Sequence, residues 1–170
     1  MKTLLVKYTP REERSNGKKL LDIFRNEIKN SEIEFLDLCM DTQDMFNVES
    51  INAYIRRNYL KEELLPEQKI TLTKMDRMTQ QIKSADIVVV DFPMPASVKA
   101  WFDSVMLQGQ TWDNSDGTYF GLMTGKKTLM IISSRGILHK RTNDKLGTCN
   151  VTYHNRVSVY GIFRYMRNFD

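Results

Sequence analysis

The chain has 170 residues, 41% of them hydrophobic and 27% charged, with a formal net charge of +4 at pH 7. That content is ordinary for one domain spanning 1–170 with a sizeable core, and it leaves no length for a second catalytic domain. Lys and Arg alternate with Asp and Glu throughout, which reads as a mixed solvated surface with no nucleic-acid footprint, and no apolar run approaches a membrane span.

The start, MKTLLVKYTP, carries too short an apolar stretch for a signal peptide, and Thr3 to Tyr8 reads as a first strand ended by Thr9-Pro10. A polar loop runs to Asn16-Gly17. Leu20, Leu21, Phe24 and Ile28 then recur at helical spacing. Ile33 to Leu38 alternates as a second strand. Glu49 to Leu60 and Pro66 to Lys83 predict helices, the latter with its proline at the start and Leu72, Met75, Met78 and Ile82 along one face. Cys39 and Cys149 lack the spacing of a zinc site, so the reading is reduced thiols in a cytoplasmic protein, with no metal.

Ile87 to Phe92 is an apolar run broken only by Asp91, as expected of a central parallel strand covered on both faces. Val98, Trp101, Phe102, Val105 and Met106 mark the helix after it. Thr128 to Ile132 predicts another buried strand and Val157 to Phe163 a last one. Strands alternating with helices imply βαβ units in an open α/β sheet. In such a sheet ligands bind beyond the carboxyl ends of the parallel strands.

Three strand ends therefore carry the candidate chemistry. The first loop, TPREERSNGKK, offers the Thr9 and Ser15 hydroxyls, Arg11, Arg14 and the free N–H groups of a helix start, a combination suited to a phosphate; it equally reads as a capped helix start. No GxGxxG or Walker sequence is present. The loop Ser133-Ser134-Arg135-Gly136-Ile137-Leu138-His139-Lys140 has small residues that let backbone approach a flat ligand, and His139 is a candidate proton donor or an idle surface histidine. Between these ends, Trp112, Tyr119 and Phe120 either cover an aromatic ligand or form a satellite core or dimer contact.

From the first strand to about Lys140 the chain resembles the flavodoxin-like NAD(P)H:quinone oxidoreductases, and within them the FMN-dependent NADH-azoreductases. The matching parts are the serine-bearing first loop, SADIVVVDFPM leading into PASVKAWFDSV, GQTW, GLMTGKK, and SSRG followed by HK. The resemblance implies a flavodoxin-like parallel sheet in the order 2-1-3-4-5 with helices on both faces. It further implies FMN phosphate held at Thr9, Ser15 and Gly17, and a flavin ring held at Pro93, Met94, Ser134, Arg135 and Gly136. Trp112 would stand on the substrate side, with His139 as the catalytic candidate. NADH or NADPH would supply a hydride that passes through FMN to a quinone or azo acceptor, in a homodimer. The chain departs from the family where Met94 joins Pro95-Ala96 directly, without the aromatic and asparagine that usually follow Pro-Met. Ile137 also replaces a glycine. The short junction implies either a true deletion or a segment omitted between Met94 and Pro95; in the first case the alternative is a flavodoxin-like binding or regulatory module that has lost flavin.

Overall fold

The structure is a computed structural model that describes residues 1–91 and 95–131 in full, together with the strand backbone at 132–133, 150–153 and 157–160. In chain order the elements are β1 (Lys2–Lys7), a 3-10 turn (Glu12–Arg14), α1 (Asn16–Glu27), β2 (Glu32–Asp37), α2 (Val48–Asn58), α3 (Pro66–Ser84), β3 (Ile87–Asp91) and α4 (Ala96–Val105). A small pair follows, β4 (Trp112–Ser115) and β5 (Thr118–Gly121), then β6 (Lys127–Ser133), β7 (Asn150–Tyr153) and β8 (Val157–Tyr160).

Alternation along β1 and β3 sends apolar side chains to both faces of the sheet, so each face needs a helical cover. Leu5 and Val89, with Ile131 of β6, pack under Leu20 and Leu21 of α1. Leu4, Val6, Val88 and Val90 pack on the other side with Met78 of α3 and Val98, Trp101 and Val105 of α4. The stripe expected on α1 faces the sheet through Leu20, Leu21 and Phe24; that of α3 is divided, with Met78 and Ile82 on the sheet and Leu72 and Met75 turned to α2, and Met106 at the end of the α4 stripe is exposed. A third cluster joins Ala53 of α2 to Leu72 and Met75 of α3 and to Leu107. β6 is less enclosed than expected. Thr128 to Met130 are half-buried and only Ile131 is fully covered, because the described helices sit over the β1–β3 centre.

The main sheet runs β2-β1-β3-β6-β8-β7. Its first four strands are parallel and reproduce the expected 2-1-3-4 order. The expected fifth parallel strand is corrected: β8 runs antiparallel to β6, and β7 runs antiparallel to β8 at the edge. The connection 154–156 between β7 and β8 is far too short for the crossover that a parallel pair requires, so these two form a hairpin. The small β4–β5 pair was not expected either. Asp116 and Gly117 both take positive φ, 52° and 82°, which closes a two-residue hairpin turn of the primed type. No helix among the described residues is long and apolar enough to cross a membrane.

The segment between α4 and β4 is tied to α2. The Tyr54 hydroxyl accepts from the Gln108 N–H at 3.0 Å, and Asn58 Nδ2 donates to the Gln108 carbonyl at 2.6 Å. Burial pushes the Tyr54 phenol up to about 12, so it stays protonated at any working pH. Tyr54→Phe leaves the Gln108 N–H without this acceptor and should lower stability by about 1 kcal/mol in urea denaturation. Hydrogen exchange at Gln108 should rise more than at β1 or β3.

Candidate functional site

Because β1, β3 and β6 are parallel and in register, with Val6 opposite Val90 and Asp91 opposite Ile131, their carboxyl ends lie side by side on one edge. The loop after β1 leaves that edge through buried Thr9, whose carbonyl accepts from the Glu12 N–H at 2.9 Å. The 3-10 turn carries the chain to Ser15, which caps α1: its Oγ accepts from the Lys18 N–H at 3.4 Å and its carbonyl from the Lys19 N–H at 3.3 Å. The N–H groups of Asn16 and Gly17 open the helix with no acceptor inside it. The macrodipole adds partial positive charge at the same point.

Acidic and basic side chains of this loop face water or each other. Arg11, Glu12, Glu13 and Arg14 are exposed. Lys18 sits between Glu13 at 3.0 Å and Asp22 at 2.8 Å, and its hydrogen bonds to Asp22 and then Glu13 raise its pKa. The helix start therefore keeps uncommitted N–H donors, while Lys18 is committed to its carboxylate partners.

One residue of this site was noted in the sequence only as an interruption of an apolar run. Asp91, the last residue of β3, is 2% exposed, and its Oδ1 is buried with no hydrogen-bond partner among the described residues. Its carboxyl group fills the space where a side chain at position 17 would begin. A Cβ built on Gly17 would lie 2.5 Å from both Cγ and Oδ2 of Asp91 and closer still to Oδ1. Loss of water around the carboxyl group, with no compensating charge, pushes its pKa up from 3.8 to about 6. The signal was a carboxylate at the carboxyl end of an otherwise apolar central strand.

Thr9 and Ser15 thus lie in the loop that leads into α1, and Gly17, in the first turn of that helix, is the one of the three shown against Asp91. Trp112 lies apart in β4, where its indole N–H donates to the Met106 carbonyl at 2.9 Å and its ring packs against Tyr119 with centroids 5.6 Å apart. Tyr119 and Phe120 are exposed on β5. Pro93, Met94, Ser134, Arg135, Gly136 and His139 lie outside the described residues, as do Cys149 and the spacing across Met94–Pro95.

Two outcomes follow from the contact between Gly17 and Asp91. Gly17→Ala should destabilise the protein by about 1–3 kcal/mol, equally in an Asp91→Asn background. In Asp91→Ala the same change should be neutral or stabilising, since the space is free and alanine is the better helix former. A double-mutant cycle by denaturation measures the difference. The second outcome concerns pH. The folded pKa is raised, so between 3.8 and about 6 the unfolded chain gives up a proton that the folded one keeps, and stability falls as pH rises through that window. The stability of Asp91→Asn relative to the parent should therefore grow by roughly 2.5 kcal/mol between pH 4 and pH 7.5.

Comparison with known proteins joins this geometry to a family. A family model described as the flavodoxin-like fold matches residues 1–167. An FMN-dependent NADH:quinone oxidoreductase of Vibrio vulnificus is 30% identical over 131 residues, covering 74% of this chain and 65% of that protein. The chain thus spans slightly less than two thirds of that curated relative. Among solved structures, an azoreductase of Bacillus anthracis superposes with a TM-score of 0.69 at 25% identity, covering 76% of this chain and 67% of that one. An FMN-dependent NADH-azoreductase of the same species, solved in complex with FMN, gives a TM-score of 0.67 at 26% identity, covering 85% and 73%. With the parallel β2-β1-β3-β6 core in hand, the chain belongs to the family of the flavodoxin-like fold.

Proposed function

We propose that the protein is an FMN-dependent oxidoreductase that passes a hydride from NADH or NADPH to a quinone or azo acceptor. The observation that carries this reading is the loop after β1, which presents an uncommitted helix start at the carboxyl edge of the sheet in a chain similar to proteins named for FMN. The described residues suit a phosphate. Thr9 and Ser15 supply hydroxyls, and Asn16 and Gly17 supply N–H donors.

Bound FMN would supply the hydride chemistry, accepting from the nicotinamide and donating to the acceptor. The residues of this chain would bind, orient and exclude water. In that assignment Pro93, Met94, Ser134, Arg135 and Gly136 hold the ring by backbone and side-chain contacts. Trp112 walls the acceptor side, and His139 keeps a proton available to the reduced acceptor. The absence of a Ser-His-Asp arrangement in the sequence accords with a site in which a cofactor carries the reaction. We assign the protein further as a cytoplasmic homodimer with a single domain over 1–170.

A second reading, a flavodoxin-like binding or regulatory module without flavin, is favoured by one observation: a buried carboxyl group stands against the very loop that would take the phosphate. The visible absorption spectrum of the purified protein, before and after addition of FMN, separates the two. The oxidoreductase reading expects flavin bands that co-elute with protein and NADH consumption dependent on a quinone. A protein that neither carries nor takes up FMN is the module. Ser15→Ala should weaken FMN binding by roughly tenfold to a hundredfold, equivalent to about 1.5–3 kcal/mol for a charge-assisted hydrogen bond, in a fluorescence titration. Unchanged affinity would place the phosphate elsewhere.

A further inference from the structure

The Asp91 carboxyl group and the start of α1 are two halves of one small structure. Asp91 comes from the end of β3, is almost wholly buried, and has an Oδ1 with no partner among the described residues. Its carboxyl group occupies the Cβ position of Gly17, in the first turn of a twelve-residue helix whose N–H groups at Asn16 and Gly17 point out of the helix. An anion accepting from these donors binds on the residue that Asp91 already touches. Two negative charges cannot share such a poorly solvated place, whereas a protonated carboxyl group and an anion can, the first donating to the second.

We propose that Asp91 couples phosphate binding at the start of α1 to the uptake of one proton, so that a phosphomonoester binds as the anion beside a neutral Asp91 carboxylic acid. The proposal rests on the reading that FMN phosphate occupies this loop, and it adds the control of that site by pH. The balance is simple: ionised Asp91, one proton from solvent and the phosphomonoester give the complex, and no bond to carbon or phosphorus changes. Burial alone raises the pKa of this carboxyl group to about 6, and an anion bound against it in the same poorly solvated place raises it further.

Among the described residues, no titratable group pairs with Asp91. On β1, Lys7 is bound to Asp37 at 2.8 Å, and Tyr8 makes no described bond to Asp91. On α1, Lys18 is shared by Glu13 and Asp22, while Lys19 is exposed. Arg11, Glu12 and Arg14 of the loop face water, and Lys99 of α4 is paired with Asp103. On β6 the register partner of Asp91 is apolar Ile131. Desolvation is correspondingly the sole cause of its raised pKa.

The test is a binding titration of FMN and of riboflavin, which lacks the phosphate, with the full chain and with Asp91→Asn from pH 6 to pH 8.5. The ionisation of FMN's own phosphate is common to both proteins and cancels in their ratio. The affinity of Asp91→Asn for FMN relative to the parent should rise by up to tenfold per pH unit, reaching on the order of a hundredfold at pH 8. The same ratio for riboflavin should stay flat. Calorimetry in buffers of different ionisation enthalpy should show the parent taking up about one more proton per FMN at pH 7.5 than Asp91→Asn does, or than Asp91→Ala does where Asp91→Asn fails to fold, so that the ligand's own ionisation cancels here too. A pH-independent FMN ratio, a riboflavin ratio that climbs equally, or no difference in proton uptake would overturn the proposal while leaving the FMN reading intact. Failure of both proteins to bind FMN at every pH would remove that reading and the proposal together.

Discussion

The constraint on which this molecule depends is that β1 and β3 have no polar face. Leu4, Leu5 and Val6 beside Val88, Val89 and Val90 leave no side of the central sheet that water can wet, so helices must cover both. Parallel pairing follows from placing those helices between the strands, and it gathers the strand carboxyl ends on one edge. Everything proposed about function is located by that edge. The loop after β1 and the end of β3 become neighbours because adjacent strands stop together, although the two segments are remote in the chain.

At that edge the structure trades solvation for proximity. Gly17 gives up its side chain, and the carboxyl group of Asp91 takes the volume, with no donor for Oδ1 among the described residues. Buried polar groups without partners are uncommon and mark places where a fold serves something other than its own stability. Here the unpaired group lies beside the donors that a helix start leaves unused, so one site holds an excess of N–H donors and a carboxylate that would rather be an acid. A ligand able to accept from the first and receive from the second satisfies both.

Much of this was legible in sequence where periodicity is strong. The apolar stripe of α1, the proline that opens α3, and the runs that became β1 and β3 fix element type within a residue or two at most ends, since burial on one or both faces imposes a period. The direction of β8 against β6 was not legible, because a short strand pattern looks the same parallel or antiparallel; the short connection 154–156 fixes only that β8 reverses on β7. The β4–β5 hairpin escaped because Trp112–Ser115 is polar on most positions, though Asp116-Gly117 is a strong turn signal. In the candidate site, where the structure describes the Ser15 cap, the Thr9 and Ser15 hydroxyls beside a helix start were readable as suited to a phosphate or as a simple cap. Asp91 was not, since its importance comes from contact with Gly17 across the sheet edge, and nothing local in an apolar run announces such a neighbour.

The clamp of Tyr54 and Asn58 on Gln108 divides the molecule in a way that matters for its evolution. The hairpin bearing Trp112, Tyr119 and Phe120 is anchored through α2 and the end of α4, while the phosphate-type loop is anchored by the central strands. Two separate scaffolds therefore carry the two ends of the proposed site. Under the proposed assignment, exposed aromatic residues on the hairpin can change without disturbing the strand ends, which separates the surface that would choose an acceptor from the loop that would hold a cofactor.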